Sequence, residues 1–88
     1  MIERKIEEIG IDKTLLLVDD DEPFLRRLTK AMEKRGFKVE SAGSVAAGRA
    51  IATARPPAYA VVDLRLTDGN GLDVFEVLHE TRPDFRVV

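Results

Sequence analysis

Four short strand-like runs alternate with three helix-period segments along this chain. That alternation constrains the fold more than any single residue does. Thr14 to Val18 and Ala58 to Val62 are nearly continuous apolar runs of strand length, as expected for strands buried on both faces of a parallel sheet. Phe37-Lys38-Val39-Glu40-Ser41 alternates with period two and reads as an edge strand. Phe85-Arg86-Val87-Val88 starts a fourth. After the first strand, Pro23 suits the opening turn of a helix. Phe24, Leu28, Ala31, Met32 and Arg35 then follow helical spacing, and Gly36 stands where that helix stops. Ser44 is a good N-cap for the Ala-rich stretch 45–54, which Arg55-Pro56-Pro57 ends. Leu72, Phe75 and Leu78 mark a third helix, closed by Pro83, and Thr67 to Gly71 reads as a loop by its turn chemistry. The order βαβαβαβ predicts an α/β fold, a doubly wound parallel sheet with helices on both faces. Right-handed crossovers give the strand order 2-1-3-4.

Both central strands end in acid. Leu15-Leu16-Leu17-Val18 runs into Asp19-Asp20-Asp21, and Tyr59-Ala60-Val61-Val62 runs into Asp63. In an open parallel sheet, ligands bind beyond the carboxyl ends of the strands, at the switch point of the topology. Adjacent first and third strands would therefore gather three carboxylates in one shallow pocket. Such a cluster repels itself unless a hard cation joins it, and Mg²⁺, which takes one or two carboxylates with water and phosphate oxygens, fits that role. Asp20 and Asp63 are the expected direct ligands, with the Arg65 backbone carbonyl as a further oxygen and Asp19 orienting a metal-bound water. Asp63, at the tip of a buried strand, is placed to attack phosphorus and form an aspartyl phosphate. Asp21 reads as a helix cap.

With 88 residues the chain makes one small domain. Residues 14–88 form it, behind a leader at 1–13 in which Ile2, Ile6, Ile9 and Ile11 alternate with charge. A net charge of −2 gives no general electrostatic case for binding nucleic acid. The absence of cysteine excludes disulfides, thiolate zinc sites and a cysteine nucleophile, and is compatible with the cytoplasm, the expected location. No stretch approaches the ~18 apolar residues of a membrane span, and Met1 to Lys5 does not open a signal peptide.

Leu-Leu-Val-Asp19-Asp20, Val-Val-Asp63-Leu-Arg-Leu and Gly71-Leu72 resemble the receiver domain of bacterial response regulators, over about residues 14–88. The resemblance implies a flavodoxin-like (CheY-like) fold and phosphoryl transfer from a sensor histidine kinase to Asp63, with Mg²⁺. It also implies kinase docking on the first helix, where Phe24 and Arg27 are the candidate contacts. Asp-Asp-Asp-Glu-Pro-Phe-Leu-Arg-Arg-Leu, Arg-Pro-Pro-Ala-Tyr-Ala-Val-Val-Asp-Leu-Arg-Leu and Asp-Gly-Asn-Gly-Leu-Asp-Val are similar to the redox-responsive RegA/PrrA/ActR group. Those regulators bind promoters through a C-terminal helix-turn-helix, so DNA contact is expected only from such a domain. The resemblance further implies self-catalysed phosphorylation and dephosphorylation rather than turnover of a separate substrate.

Two departures from the family pattern stand out. Leu66-Thr67 and Asn70-Gly71 stand where many receivers have Met-Pro and Asp-Gly; a change in loop mobility is expected, with little effect on metal binding. The chain also stops at Val88, before the Ser or Thr and the Lys that the family places at the tips of its fourth and fifth strands. The expectation is an incomplete, C-terminally truncated receiver, poorly stable or shielded by self-association because an apolar face lies open. Two rival functions remain. A phosphohydrolase of the haloacid-dehalogenase type would need Thr or Val where Pro23 follows Asp19-Asp20-Asp21-Glu22, and the match fails there. A receiver-like module that pairs without being phosphorylated is the other. His79, the only histidine, reads as a surface or boundary residue.

Overall fold

The computed structural model describes residues 12–88. Its elements run β1 (Thr14–Val18), α1 (Glu22–Lys34), β2 (Lys38–Ala42), α2 (Val45–Ala54), β3 (Tyr59–Val62), β4 (Arg65–Leu66), β5 (Gly69–Asn70), α3 (Leu72–Thr81) and β6 (Arg86–Val87). β2-β1-β3-β6 form one parallel sheet in that order. This is the 2-1-3-4 arrangement expected from right-handed crossovers, with the two apolar strands adjacent at its centre. The register sets Val18 beside Ala42 on one side and Val62 on the other.

Helices cover the sheet unequally. On one face α2 and α3 pack against Leu16, Val18 and Ala60, joined by Ala52, Val74 and Leu78. Gly48 allows that approach: a Cβ there would lie 3.0 Å from Val18 and 3.1 Å from Val74. α3 turns Val74 and Leu78 inward, while Leu72, expected on the buried stripe, is 49% exposed at the helix start. On the other face, among the described residues, α1 covers Leu15 and Leu17, chiefly through buried Leu25, with Leu28 and Met32 beside it. Burial of such a leucine stabilises by roughly 2 kcal/mol.

The apolar stripe of α1 differs from the expected one. Phe24 is 41% exposed and Arg35 is exposed. Asp21 caps the helix by accepting from the Phe24 amide at 3.1 Å, and Pro23 lies in the first turn. The helix thereby meets the sheet on the 25/28/32 line. Phe24 sits about 100° around the axis from Leu25. Gly36, at φ 90°, lets the chain leave α1 toward β2.

The 67–71 loop is more ordered than its composition suggests. Arg65 and Leu66 pair antiparallel with Asn70 and Gly69, so Thr67 and Asp68 form the tip of a miniature hairpin. Leu66 drops into the core beside Val45 and holds the hairpin down. At the opposite end of the sheet, Arg82 reaches Asp12 at 2.6 Å and the Pro56 carbonyl at 3.1 Å. The Thr14 hydroxyl and amide donate to the same Asp12 carboxylate, and the Lys13 carbonyl accepts from the Lys38 amide. Within the expected leader at 1–13, Asp12 and Lys13 therefore belong to the base of the sheet; residues 1–11 lie outside the described residues. His79 is exposed and meets Phe85 edge-on at 5.1 Å, at the boundary of the core. No helix among the described residues is long and apolar enough to cross a membrane.

Candidate metal centre

Backbone pairing carries the aspartates to the tip of the sheet. The Asp63 amide donates to the Val18 carbonyl at 2.8 Å, and the Asp19 amide to the Ala42 carbonyl at 3.1 Å. Both residues therefore continue the parallel ladder one step past its last apolar pair. Side chains alternate along a strand, so Asp19 follows Leu15 and Leu17 onto the α1 side, and Asp63 follows Tyr59 and Val61 there. Asp20 is the next residue toward α1. One carboxylate oxygen from each of Asp19, Asp20 and Asp63 lies within 4.8 Å of the other two.

Hard oxygen donors at that spacing suit a hard divalent cation, which would relieve their mutual repulsion. The donor set contains no nitrogen or sulfur, as expected for magnesium or calcium rather than a softer metal. Asp19 and Asp63 are half-buried and Asp20 is exposed, so the centre opens to solvent. The three carboxylates anticipated from sequence are thus brought together as expected.

Amides hold these carboxylates. Asp19 Oδ1 accepts from the Asp21 amide at 2.9 Å, and Asp63 Oδ1 from the Arg65 amide at 3.0 Å. Asp20 Oδ2 accepts from the Thr67 amide at 3.2 Å. The departure at position 67 therefore touches the centre directly, because proline has no N–H to offer. That contact was not legible in sequence, since donor and acceptor lie 47 residues apart. Turn chemistry places Asp68 in a loop, yet its two oxygens accept from the Val45 and Ala46 amides at 2.8 and 3.1 Å. Those bonds hold its carboxyl below the usual range.

Gly71 closes the site from behind. Its own φ of −58° is ordinary, so space rather than backbone freedom demands glycine. A Cβ at this position would strike the Asp63 carbonyl oxygen and come within 2.7 Å of Val62 Cγ1. Beside the aspartates lies a groove of about 270 Å³, lined by Leu17, Phe24, Leu28 and Val61 together with Asp19 and Asp63. Of the two candidate docking residues, Phe24 borders this groove. Arg27, exposed on α1, does not.

Residues 15–88 match the family described as the response regulator receiver domain. Over all 88 residues the chain is 73% identical to the photosynthetic apparatus regulatory protein RegA of Cereibacter sphaeroides, and covers 48% of that protein. It is 61% identical over 80 residues to the acid tolerance regulatory protein ActR of Rhizobium meliloti, covering 91% of this chain and 41% of that protein. The chain thus spans about half the length of the curated relatives it matches. A Burkholderia pseudomallei response regulator with a phosphorylated aspartic acid, a calcium ion and citrate superposes with a TM-score of 0.80 at 33% identity, over 86% of this chain and 45% of that one. A CheY-like receiver domain from Methanospirillum hungatei gives 0.80 at 30% identity, over 88% of this chain and 62% of that one. The acid pair after β1, the single aspartate after β3 and the glycine packed behind it all fall within the matched span, and the chain belongs to the response regulator receiver domain family.

Proposed function

We propose that this chain is the phosphoryl-accepting input module of a two-component transcription regulator, with Asp63 taking the phosphoryl group from a phosphohistidine of a sensor kinase. The observation that carries this reading is the convergence of Asp19, Asp20 and Asp63 within 4.8 Å at the tips of two adjacent strands. A carboxylate oxygen of Asp63 attacks phosphorus as the bond to the histidine nitrogen breaks; the imidazole leaves with that electron pair and takes up a proton. Asp20 and Asp63 would hold Mg²⁺ directly, with the Arg65 carbonyl as a further oxygen and Asp19 as a support from behind. The chemistry Mg²⁺ supplies when bound is neutralisation of charge on the carboxylates and the phosphoryl oxygens. The Arg65 amide fixes one oxygen of Asp63, which leaves the other as nucleophile. The same carboxylates support self-catalysed phosphorylation from small phosphodonors and loss of the phosphoryl group to water.

Phe24, exposed at the rim of the groove beside Asp63, is suited to meet the kinase, with Arg27 one turn further along α1. Pairing with a second receiver chain is the other partner this reading allows. Contact with DNA falls to a separate C-terminal domain of the regulator, and the setting is the cytoplasm.

Beryllofluoride, a mimic of the aspartyl phosphate, tests the central claim. Saturable binding that requires Mg²⁺ and disappears in Asp63→Asn is expected. A folded chain that takes up no beryllofluoride with Mg²⁺ present would refute phosphoacceptance and leave an interaction module.

A further inference from the structure

The tip of the β4–β5 hairpin is two residues long, and they are anchored in opposite directions. The Thr67 amide donates to Asp20 of the acidic centre. The neighbouring Asp68 side chain spends both carboxylate oxygens on the first turn of α2, at Val45 and Ala46. We infer that Asp68 is a positioning residue for the cation centre: by tying the hairpin tip to the start of α2, it fixes where the Thr67 amide meets Asp20 and where the 63–67 backbone passes the site. The inference rests on reading Asp19, Asp20 and Asp63 as a divalent-cation site.

The remaining anchors of this loop explain why one side chain has such leverage. At its start, the Arg65 amide is bonded to Asp63, and at its end the Gly71 amide is bonded to the Leu64 carbonyl. Leu66 is buried in the core. Gly69, at φ +150°, takes a backbone conformation that other residues rarely adopt and turns the chain into the returning strand. Both residues of the tip itself are exposed, and Asp68 supplies the tip's side-chain bonds to α2. A charged acceptor on two helical N–H groups is a strong tether, reinforced by the positive end of the helix dipole.

With the tip held, an amide orients the Asp20 carboxylate as another orients Asp63, so both are arranged before a cation arrives. Pre-arranging ligands in this way reduces the ordering cost of binding. Without Asp68 the Thr67 amide is free to leave Asp20, and that carboxylate must be ordered anew by the ion itself.

A purely structural role as a second cap on α2 predicts something else, and Ser44 separates the two. Its hydroxyl caps the same helix by accepting from the Ala47 amide at 3.0 Å, without touching the hairpin. Mg²⁺ would be titrated into the 88-residue chain, following the amide chemical shifts of residues 19, 20 and 63, in the wild type, Asp68→Ala, Asp68→Asn and Ser44→Ala. Asp68→Ala is expected to weaken Mg²⁺ binding about tenfold, typical of losing a residue that supports metal ligands from behind. Asp68→Asn, which keeps one acceptor oxygen, should lose less and stay folded if the alanine variant does not. Ser44→Ala should lower the melting temperature yet bind Mg²⁺ as the wild type does. Wild-type affinity in the folded Asp68 variants, or an equal loss in Ser44→Ala, would overturn the inference. A wild-type chain with no Mg²⁺-dependent shifts would instead bring down the cation reading itself, and the inference with it.

Discussion

Gly71 shows how much a single hydrogen can matter beside the backbone of Asp63. Its backbone angles suit any residue, but the Asp63 carbonyl and Val62 occupy the space a methyl group would need. Gly71→Ala must push the start of α3 away from the tip of β3. The expected cost is about 1–3 kcal/mol, in the range for overpacking a tight site, together with a loss of Mg²⁺-dependent beryllofluoride binding. Chemical denaturation and a binding titration on the same variant would measure both. A stable Gly71→Ala that still takes up beryllofluoride normally would mean that the backbone yields there at little cost. Glycine at this position was visible in the sequence as part of a family motif; its steric reason was not, because Val62 and Asp63 close on it only once β3 and α3 are placed.

Among the elements, α1 sets a buried residue beside an exposed one, and the proposed kinase contact gives them separable tasks. Leu25 is 8% exposed and is the buried anchor of the helix on Leu15 and Leu17, whereas Phe24 is 41% exposed at the groove beside Asp63. Leu25→Ala should destabilise the chain by about 2–4 kcal/mol, as deletion of a buried leucine side chain does. Phe24→Ala should cost less than about 1 kcal/mol, as for a largely exposed residue, but slow phosphoryl transfer from the kinase. Thermal melts and a transfer assay with a phosphorylated kinase domain would distinguish the two. Equal loss of stability from both substitutions would contradict this division. Helical spacing indicates that α1 is amphipathic, yet it cannot rotate the helix onto the sheet. That rotation follows from the Asp21 cap, the start at Glu22 and the position of β1 below.

Across the whole molecule, the cation centre and the Asp12–Arg82 link lie at opposite ends of the sheet. Asp12 is held at a pKa of about 2, below its ordinary 3.8, first by the Thr14 hydroxyl and amide and then by Arg82. A carboxyl with a depressed folded-state pKa adds stability above its unfolded value and loses that contribution as pH falls through the folded one. The Asp12 contribution should therefore be complete above about pH 4 and fade toward pH 2. Asp12→Asn should be less stable than the wild type at neutral pH, and the gap should close through that window. Urea denaturation at stepped pH would reveal it, and a gap independent of pH would show that the charge on Asp12 contributes nothing measurable. Asp68 and Glu40, also held below their usual values by the α2 amides and by Arg55 respectively, work in the same direction.

By itself the sequence determined the βαβαβαβ order, the 2-1-3-4 sheet and the identity of the three clustered carboxylates. Those follow from local signals: apolar runs of strand length, N-caps at Asp21 and Ser44, breakers at Gly36 and Pro83, and acids at the two strand ends. Only the tertiary structure decided how the 67–71 segment is used. Thr67 meets Asp20 from 47 residues away, and Asp68 meets Val45 and Ala46 from 23 and 22 residues away. Periodicity and turn chemistry report on a residue and its near neighbours in the chain. Hydrogen bonds across such separations exist only after packing has brought β1, α2 and the hairpin to the same end of the sheet.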